Sequence, residues 1–260
     1  MDEKYKIASV KIADIISRNV KKAVKNDFFK LGNNVGIGAD GTITKYIDKI
    51  AEDAAIRYIK RSKLKLNLLS EEAGFVDNKG KYTVVLDPVD GTRNAYRGIP
   101  FYSVSVAIGK NSLSDIEYGV VKNIPTGDVF IAEKGHGAFY NNSRFYVPEV
   151  PDKEPLSCLA LGKNHDRYTI KLAKKEKVRS LGASSLEMCM VAIGALDYYV
   201  VGKEYIRIID IAASTLIVRE AGGIVANIVG KDVDMPFDLD ERTSVIAACN
   251  KEIVDRIISL

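Results

Sequence analysis

Two aspartates, Asp87 and Asp90, lie three residues apart in the run Asp87-Pro88-Val89-Asp90-Gly91-Thr92, directly after the apolar stretch Tyr82-Thr83-Val84-Val85-Leu86. The proline fixes the backbone and the glycine permits a tight turn, so both carboxylates can point into one small volume. Like charges so placed repel unless a cation or a shared proton compensates them. An all-oxygen cluster suits Mg²⁺ or Mn²⁺, because hard cations prefer carboxylate, carbonyl and water ligands to thiolates or imidazoles. Taken alone the run is equally a polar β-turn, and other acids must decide between the two.

Those acids come from distant segments. Residues 83–86 are few and rich in β-branching, which predicts a buried strand with the aspartates at its end. A second short apolar segment, Leu66-Asn67-Leu68-Leu69, precedes Glu71-Glu72. The two segments are expected as neighbouring strands ending at one edge of a sheet, where α/β proteins collect ligands and catalytic groups. By itself a Glu-Glu pair is more commonly a solvated loop. Asp210 sits in Ile208-Ile209-Asp210-Ile211-Ala212-Ala213-Ser214, apolar surroundings in which an unpartnered carboxylate is costly. It is read as a metal ligand or as the N-cap of a helix over 211–221, and the two roles are compatible.

Together these residues resemble the inositol monophosphatase superfamily of metal-dependent, lithium-sensitive phosphatases, over almost the whole chain. The pattern is carried by Glu71-Glu72, by the run 87–92, and by Asp210-Ile211-Ala212-Ala213 leading into Glu220-Ala221-Gly222-Gly223. Asp40-Gly41-Thr42-Ile43-Thr44, ahead of a helix carrying Asp48, matches as well. The chain is most similar to the archaeal type acting on both inositol monophosphate and fructose 1,6-bisphosphate, on the strength of Gly98-Ile99-Pro100-Phe101 and Arg207-Ile208-Ile209-Asp210. Two positions depart from the pattern. Ile209 replaces the usual tryptophan, a core position that binds no metal. Lys203-Glu204 falls where many inositol monophosphatases place a pocket carboxylate, which weakens the case for an inositol preference.

The resemblance implies a fold of the α+β and α/β class, a layered αβαβα sandwich of the inositol monophosphatase / fructose bisphosphatase type. It implies Mg²⁺ as cofactor, with Mn²⁺ as a substitute: one ion on Glu71, Asp87 and the Val89 carbonyl, a second on Asp87, Asp90 and Asp210, and a weaker third near Glu71. Water would attack phosphorus directly, its proton passing through Thr92 to Asp48, so that Asp48, Glu71 and Thr92 are the catalytic set. No phosphoenzyme is expected, since haloacid dehalogenase phosphatases use Asp-x-Asp and the spacing here is Asp-x-x-Asp. Asp90, Gly91 and Thr92 would hold the phosphate. Ala183 and Ser184 would line the sugar pocket, in Gly182-Ala183-Ser184-Ser185 ahead of an apolar helix over 186–195, unless Ser184 or Ser185 is only that helix's N-cap. Arg207 would salt-bridge Asp210 or, with Lys203, clamp a second phosphate. A homodimer is expected by the same resemblance. Two other readings stand beside the sugar or inositol phosphatase: a phosphatase of 3′-phosphoadenosine 5′-phosphate, and a silent metal-binding regulatory protein, which should have lost one of the acids.

Composition agrees with an ordinary globular protein. At 260 residues, 47% hydrophobic and 28% charged, the chain can bury a large core. A net charge of +4 is too mild to suggest a nucleic-acid partner, and the basic run 171–179 lacks interleaved aromatics, so it is expected as a solvated helix face. Cys158, Cys189 and Cys249 have no metal-ligand spacing and read as reduced buried thiols of a cytoplasmic protein. The charged start from Asp2 predicts no secretory signal, and the apolar stretch 188–202 is broken by Asp197 and too short to span a bilayer. Abundant Lys, Glu and Ile hint at a thermophile.

Periodicity supplies the positioning elements. Ala13, Ile16, Val20 and Val24 mark one amphipathic helix, and Ile47, Ile50, Ala51, Ala54 and Tyr58 a second. Between them, residues 31–41 are expected as a mobile glycine-rich loop, whose Gly36-Ile37-Gly38 follows no strand and is no nucleotide fingerprint. A helical turn is expected at 94–96. Segments 103–109, 116–122, 128–132 and 137–140 predict an antiparallel sheet, with turns at Gly127 and Asn141-Asn142. A proline-rich joint at 148–155 is expected to divide an N-terminal α+β domain, 1–147, from a C-terminal α/β domain, 148–260.

Overall fold

Strands whose residues are apolar at consecutive positions must be covered on both faces, and the first half of the chain has several. In the computed structural model, which describes residues 1–148, 155–162 and 166–260, they form a sheet with helices on either side. The strands before residue 148 are β1 (Asn34–Ile37), β2 (Ile43–Lys45), β3 (Leu66–Ser70), β4 (Gly74–Val76), β5 (Tyr82–Asp90), β6 (Ser103–Gly109), β7 (Tyr118–Asn123), β8 (Val129–Glu133), β9 (Gly137–Tyr140) and β10 (Ser143–Phe145). Among the described residues an eight-stranded sheet has the order β10-β9-β8-β7-β6-β5-β3-β4. Only β3 and β5 run parallel in it.

Later in the chain β11 (Leu156–Leu159), β12 (Lys177–Arg179), β13 (Tyr198–Ile206), β14 (Ile224–Ala226) and β15 (Thr243–Ala248) form a second sheet, in the order β12-β11-β13-β15-β14. The helices are α1 (Glu3–Asn26), α2 (Tyr46–Arg61), α3 (Thr92–Arg97), α4 (Arg167–Ala173), α5 (Ser184–Ala192), α6 (Ile208–Glu220) and α7 (Lys251–Ile258).

Alternation along the strands sorts these elements into layers. Leu68, Val84, Leu86, Val104, Val106 and Val120 face Ile12, Ile16, Val20, Ile47 and Ala51 of α1 and α2. Their neighbours Leu69, Val85, Ala107 and Val121 point the other way, onto Leu186, Val191, Ile211, Leu216 and Ile217 of α5 and α6. The same two helices meet Tyr199, Val201, Val225, Val245 and Ala247 of the second sheet. Its outer face, with Tyr198, Val200, Ile246 and Ala248, is covered by Leu172 of α4 and Ile253, Val254 and Ile257 of α7. The result is the layered αβαβα sandwich expected from the resemblance. Helices α5 and α6 need no polar face because they are buried between two sheets, and Ile209, where tryptophan was expected, is fully buried in that layer.

Several elements differ from expectation. Residues 31–41 are not a loop throughout: β1 pairs antiparallel with β2 as a hairpin whose turn is 38–42, and Asn34 and Gly36, which suggested a loop, are paired with Lys45 and Thr44 inside it. The basic run 171–179 is not one helix face. Helix α4 ends at Ala173, and Lys177 to Arg179 form β12, the edge strand of the second sheet, where exposed Lys and Arg discourage further pairing. Helix α6 starts three residues earlier than expected, which makes Asp210 its third residue and not its N-cap. Ser184 and Ser185 are likewise inside α5, with Ala183 at the cap position. Of the joint 148–155, residues 149–154 lie outside the described residues.

Close approach of α6 to the first sheet needs Gly119: a Cβ there would stand 2.9 Å from the Ala213 carbonyl oxygen and 3.1 Å from its Cα. Overpacking against backbone costs about 1–3 kcal/mol. Gly119→Ala should therefore lower the urea midpoint of unfolding with an unchanged slope, whereas an unchanged midpoint would mean that the α6 layer is not seated this closely.

Candidate active site

The parallel pairing of β3 with β5 brings their C-terminal ends to one edge, with Ser70 opposite Leu86. Glu71 and Asp87, the residues that follow this pair, therefore lie side by side at that edge. Just before Glu71, buried Glu52 of α2 accepts hydrogen bonds from Ser70 Oγ and from the Ala73 N–H (3.1 Å), which fixes the chain where it exits β3. Strand alternation would send Asp87 and Asp90 to opposite faces. A bulge prevents this, since Asp87 pairs with Ser105 and Asp90 with Ser103, so three steps along β5 match two along β6. Both aspartates thus sit opposite residues of one face.

Gly91 then turns the chain into α3 with φ of 87°, a conformation that favours glycine. A Cβ at Gly91 would lie 3.1 Å from the Ala183 Cβ and 3.2 Å from the Gly182 carbonyl oxygen. Ala183, expected at the sugar pocket, is therefore adjacent to the Gly91 turn, expected to hold the phosphate. Glu187 of α5 holds this 181–183 segment, its Oε1 accepting from the N–H groups of Leu181 (2.7 Å) and Gly182 (3.0 Å) and from Cys158 Sγ (2.9 Å).

Each acid has its own partners. Asp90 caps α5 from across the fold: Oδ1 accepts from the Ser184 N–H (3.1 Å), and Oδ2 from the Ser185 N–H (2.7 Å) and Ser185 Oγ (2.6 Å). Asp87, fully interior, accepts from the Val89 N–H at 3.0 Å. Asp48, at the third position of α2, lies 2.9 Å from Thr92 Oγ1, which is also 2.8 Å from the Val89 carbonyl oxygen. With one proton, the hydroxyl donates to one of the two at a time. Arg207 joins three segments. Its Nη2 and Nε reach Asp210 Oδ1 and Oδ2 at 3.0 and 3.3 Å, and its Nη1 reaches Glu71 Oε1 at 2.9 Å and Asp40 Oδ2 at 2.6 Å. Arg207 thus takes the salt-bridge place beside Asp210. Lys203 stands exposed on β13, outside this network.

Charge is in excess here. Burial pushes Asp87 well above the usual carboxylate range, and the charges of Asp90, Glu71 and Asp210 push the same way while Arg207 opposes them. Glu71 is raised by burial against the pull of Arg207, and Asp90 is raised to about 7 by burial and by Asp210, against hydrogen bonds from Ser185. Asp48 reaches about 8, chiefly by burial, with the charges of Glu71 and Glu72 adding and the Thr92 hydrogen bond subtracting. Glu72 reaches about 7, again mainly by burial, although Thr44 donates to it. On Arg207 burial works against the charge, but Asp210 and Glu71 outweigh it and hold the guanidinium protonated.

The donor set fits a hard divalent cation in chemistry: buried carboxylate and carbonyl oxygens with more negative charge than one guanidinium neutralises. Among the described residues, however, no three acids, histidines or cysteines close on a common point as a metal's ligands do. Arg207 stands between Glu71 and Asp210, and the α5 N-terminus holds Asp90. Reasoning from sequence missed Asp40 as a partner of Arg207, Ser185 and the Ser103 hydroxyl, 3.4 Å away, as donors to Asp90, and Glu187 as the anchor of 181–183. Asp40 was visible in its Asp-Gly turn, but its partner is 167 residues away.

These raised values have a consequence for stability. Between the unfolded carboxylate range near pH 4 and about pH 8, the folded chain binds protons at Asp48, Glu72 and Asp90 that the unfolded chain has released. Stability must then fall as pH rises through this window. In chelator, Tm should drop by several degrees from pH 5.5 to pH 8.5, and saturating Mg²⁺ should flatten the dependence. A metal-free Tm that rises with pH over this range would contradict the burial of these acids.

The inositol monophosphatase family model matches residues 1–260. The fructose-1,6-bisphosphatase of Pyrococcus furiosus is 39% identical over 230 residues, covering 88% of this chain and 87% of that protein. The bifunctional NADP phosphatase/NAD kinase of Methanococcus maripaludis is 40% identical over 93% of this chain, which spans 47% of that longer protein. A solved structure from Pyrococcus horikoshii, described as having similarities to inositol-1 monophosphatase, superposes with a TM-score of 0.86 at 33% identity, covering 100% of this chain and 98% of the other. Among the described residues no helix is long and apolar enough to cross a membrane.

Proposed function

The chain belongs to the inositol monophosphatase family, and on that premise we propose that it is a Mg²⁺-dependent phosphate monoester hydrolase acting on fructose 1,6-bisphosphate, inositol 1-phosphate or both. One observation carries the reading: the charges of Glu71, Asp90 and Asp210 all reach the buried Asp87 carboxylate, and Thr92 Oγ1 lies 2.9 Å from Asp48 beside them. Glu71, Asp87, the Val89 carbonyl, Asp90 and Asp210 would hold two ions, with a third near Glu71. When bound, Mg²⁺ supplies charge neutralisation at the phosphoryl oxygens and a water nucleophile at neutral pH.

The protein's own groups do the rest. Asp48, which accepts from Thr92 Oγ1 at 2.9 Å, would in its ionised form take the Thr92 proton as Thr92 takes one from the attacking water. Gly91 brings the phosphate-binding turn against Ala183 and Ser184, which form the wall of the sugar pocket. Arg207 is engaged by Asp40, Glu71 and Asp210 in this structure, and Lys203 is the cation proposed for the second phosphate of a bisphosphate. The Pyrococcus furiosus relative's name supports the bisphosphate. The Methanococcus relative's name supports a second reading, a phosphatase acting on NADP, beside the 3′-phosphoadenosine 5′-phosphate phosphatase that the sequence resemblance leaves open.

Phosphate release over a panel of these four compounds separates the readings. Chelator should abolish hydrolysis and Mg²⁺ restore it, and Asp210→Asn should lower kcat by orders of magnitude with the fold retained. Near-wild-type turnover of that variant at saturating Mg²⁺ would remove the metal-dependent assignment. Thr92→Ala should lower kcat far more than it changes KM, because a proton relay acts only in the transition state. If Lys203 meets the second phosphate, Lys203→Ala should raise KM about tenfold for the bisphosphate, the worth of one charge-assisted contact, with little effect on inositol 1-phosphate. Equal effects on both substrates would exclude that contact.

A further inference from the structure

Arg207 stands among the acids expected to hold metal, beyond the single Asp210 salt bridge read from the sequence. Its guanidinium donates to Glu71 and Asp210, two of the acids expected to hold metal, and takes Asp210 in a two-pronged grip. Its third partner, Asp40, lies outside the expected ligand set, is reached by the shortest of the contacts at 2.6 Å, and has a side chain only 1% exposed. The Arg207 side chain itself is 17% exposed, so it cannot leave its partners for water without a large cost. If Glu71 and Asp210 are taken from it, Asp40 remains.

We infer that Arg207 is a resident counter-cation of the metal site: it neutralises Glu71 and Asp210 in the metal-free protein, competes with divalent ions for them, and yields them on loading while keeping Asp40. This rests on the metal-dependent reading above and adds to it a residue that sets metal affinity without being a ligand. Asp40, at the turn of the β1–β2 hairpin, becomes a positioning residue that retains the displaced guanidinium and so ties the hairpin to the state of the metal site.

Two opposed effects follow. Arg207→Gln removes the competitor, so Mn²⁺ should bind on the order of tenfold more tightly, while the chelated variant should melt below the chelated wild type because its acids have lost their cation. Asp40→Asn leaves a displaced Arg207 without a buried partner, so Mn²⁺ should bind more weakly. In the Arg207→Gln background, the Asp40→Asn change should have little effect. A purely long-range effect of the Asp40 charge would instead weaken binding equally in both backgrounds.

The test is calorimetric titration with Mn²⁺ of the full-length wild type, both single variants and the double variant, each first stripped with chelator. Tighter binding by Arg207→Gln together with a background-dependent Asp40 effect supports the inference. Weaker or unchanged binding by Arg207→Gln overturns it and leaves the metal-dependent function standing. Absence of binding by the wild type overturns both. Should Arg207→Gln not fold, wild-type protein labelled with ¹⁵N-arginine gives the answer independently. An Nε–H protected in chelator should lose protection over the same Mg²⁺ range in which the ion binds, and protection that persists at saturation would overturn the inference.

Discussion

Repulsion among buried and half-buried carboxylates at one sheet edge is the constraint around which this protein is organised. Glu71, Asp90 and Asp210 are brought within reach of the Asp87 carboxylate by the parallel β3–β5 pair, the β5 bulge and the first turn of α6. A fold selected for stability alone would place hydrophobic residues there, since buried charge is at best neutral for stability. Retaining the acids implies that they are compensated when the protein works.

The scaffold moderates the repulsion without removing it. Asp48 and Asp210 both occupy the third position of a helix, where each accepts the N–H of the cap residue, Lys45 at 3.3 Å and Arg207 at 2.9 Å. Asp90 meets the first N–H groups of α5. Negative charge in a first turn is favoured by the free N–H donors and by the helix dipole. Three helix starts from three parts of the chain therefore serve three acids, and Arg207 serves two more contacts at the same edge. The apolar layers explain why this is possible: α5 and α6 are clamped between two sheets, so their N-termini are held firmly enough to act as anion receptors.

Much of this was legible before any coordinates. The strand 103–109 coincides with β6 because a run buried on both faces has no other way to be satisfied, and the run 87–92 stands out because acids next to proline and glycine after a strand carry an unusual charge density. The layered fold came from resemblance, not from periodicity. What escaped notice is long-range or depends on backbone pairing. Asp90 as a cap for a helix that starts 94 residues later exists only once the layers stack. Asp40 and Arg207 meet for the same reason. The β1–β2 hairpin was read as a loop because glycine content reports where a chain can turn, not whether the residues on either side pair. The early start of α6 was hidden because Arg207 is not a usual cap residue; there Asp210 closes the turn from inside the helix.

The most direct test of a divalent-cation centre built on these acids is anomalous diffraction from crystals of the full chain soaked in Mn²⁺. The account predicts manganese peaks bonded to Asp87, to Asp90 and Asp210, and to Glu71, with Arg207 drawn away from Glu71 and Asp210 onto Asp40. Absence of manganese at these carboxylates at a saturating concentration, with Arg207 still gripping Asp210 and Glu71, would contradict it.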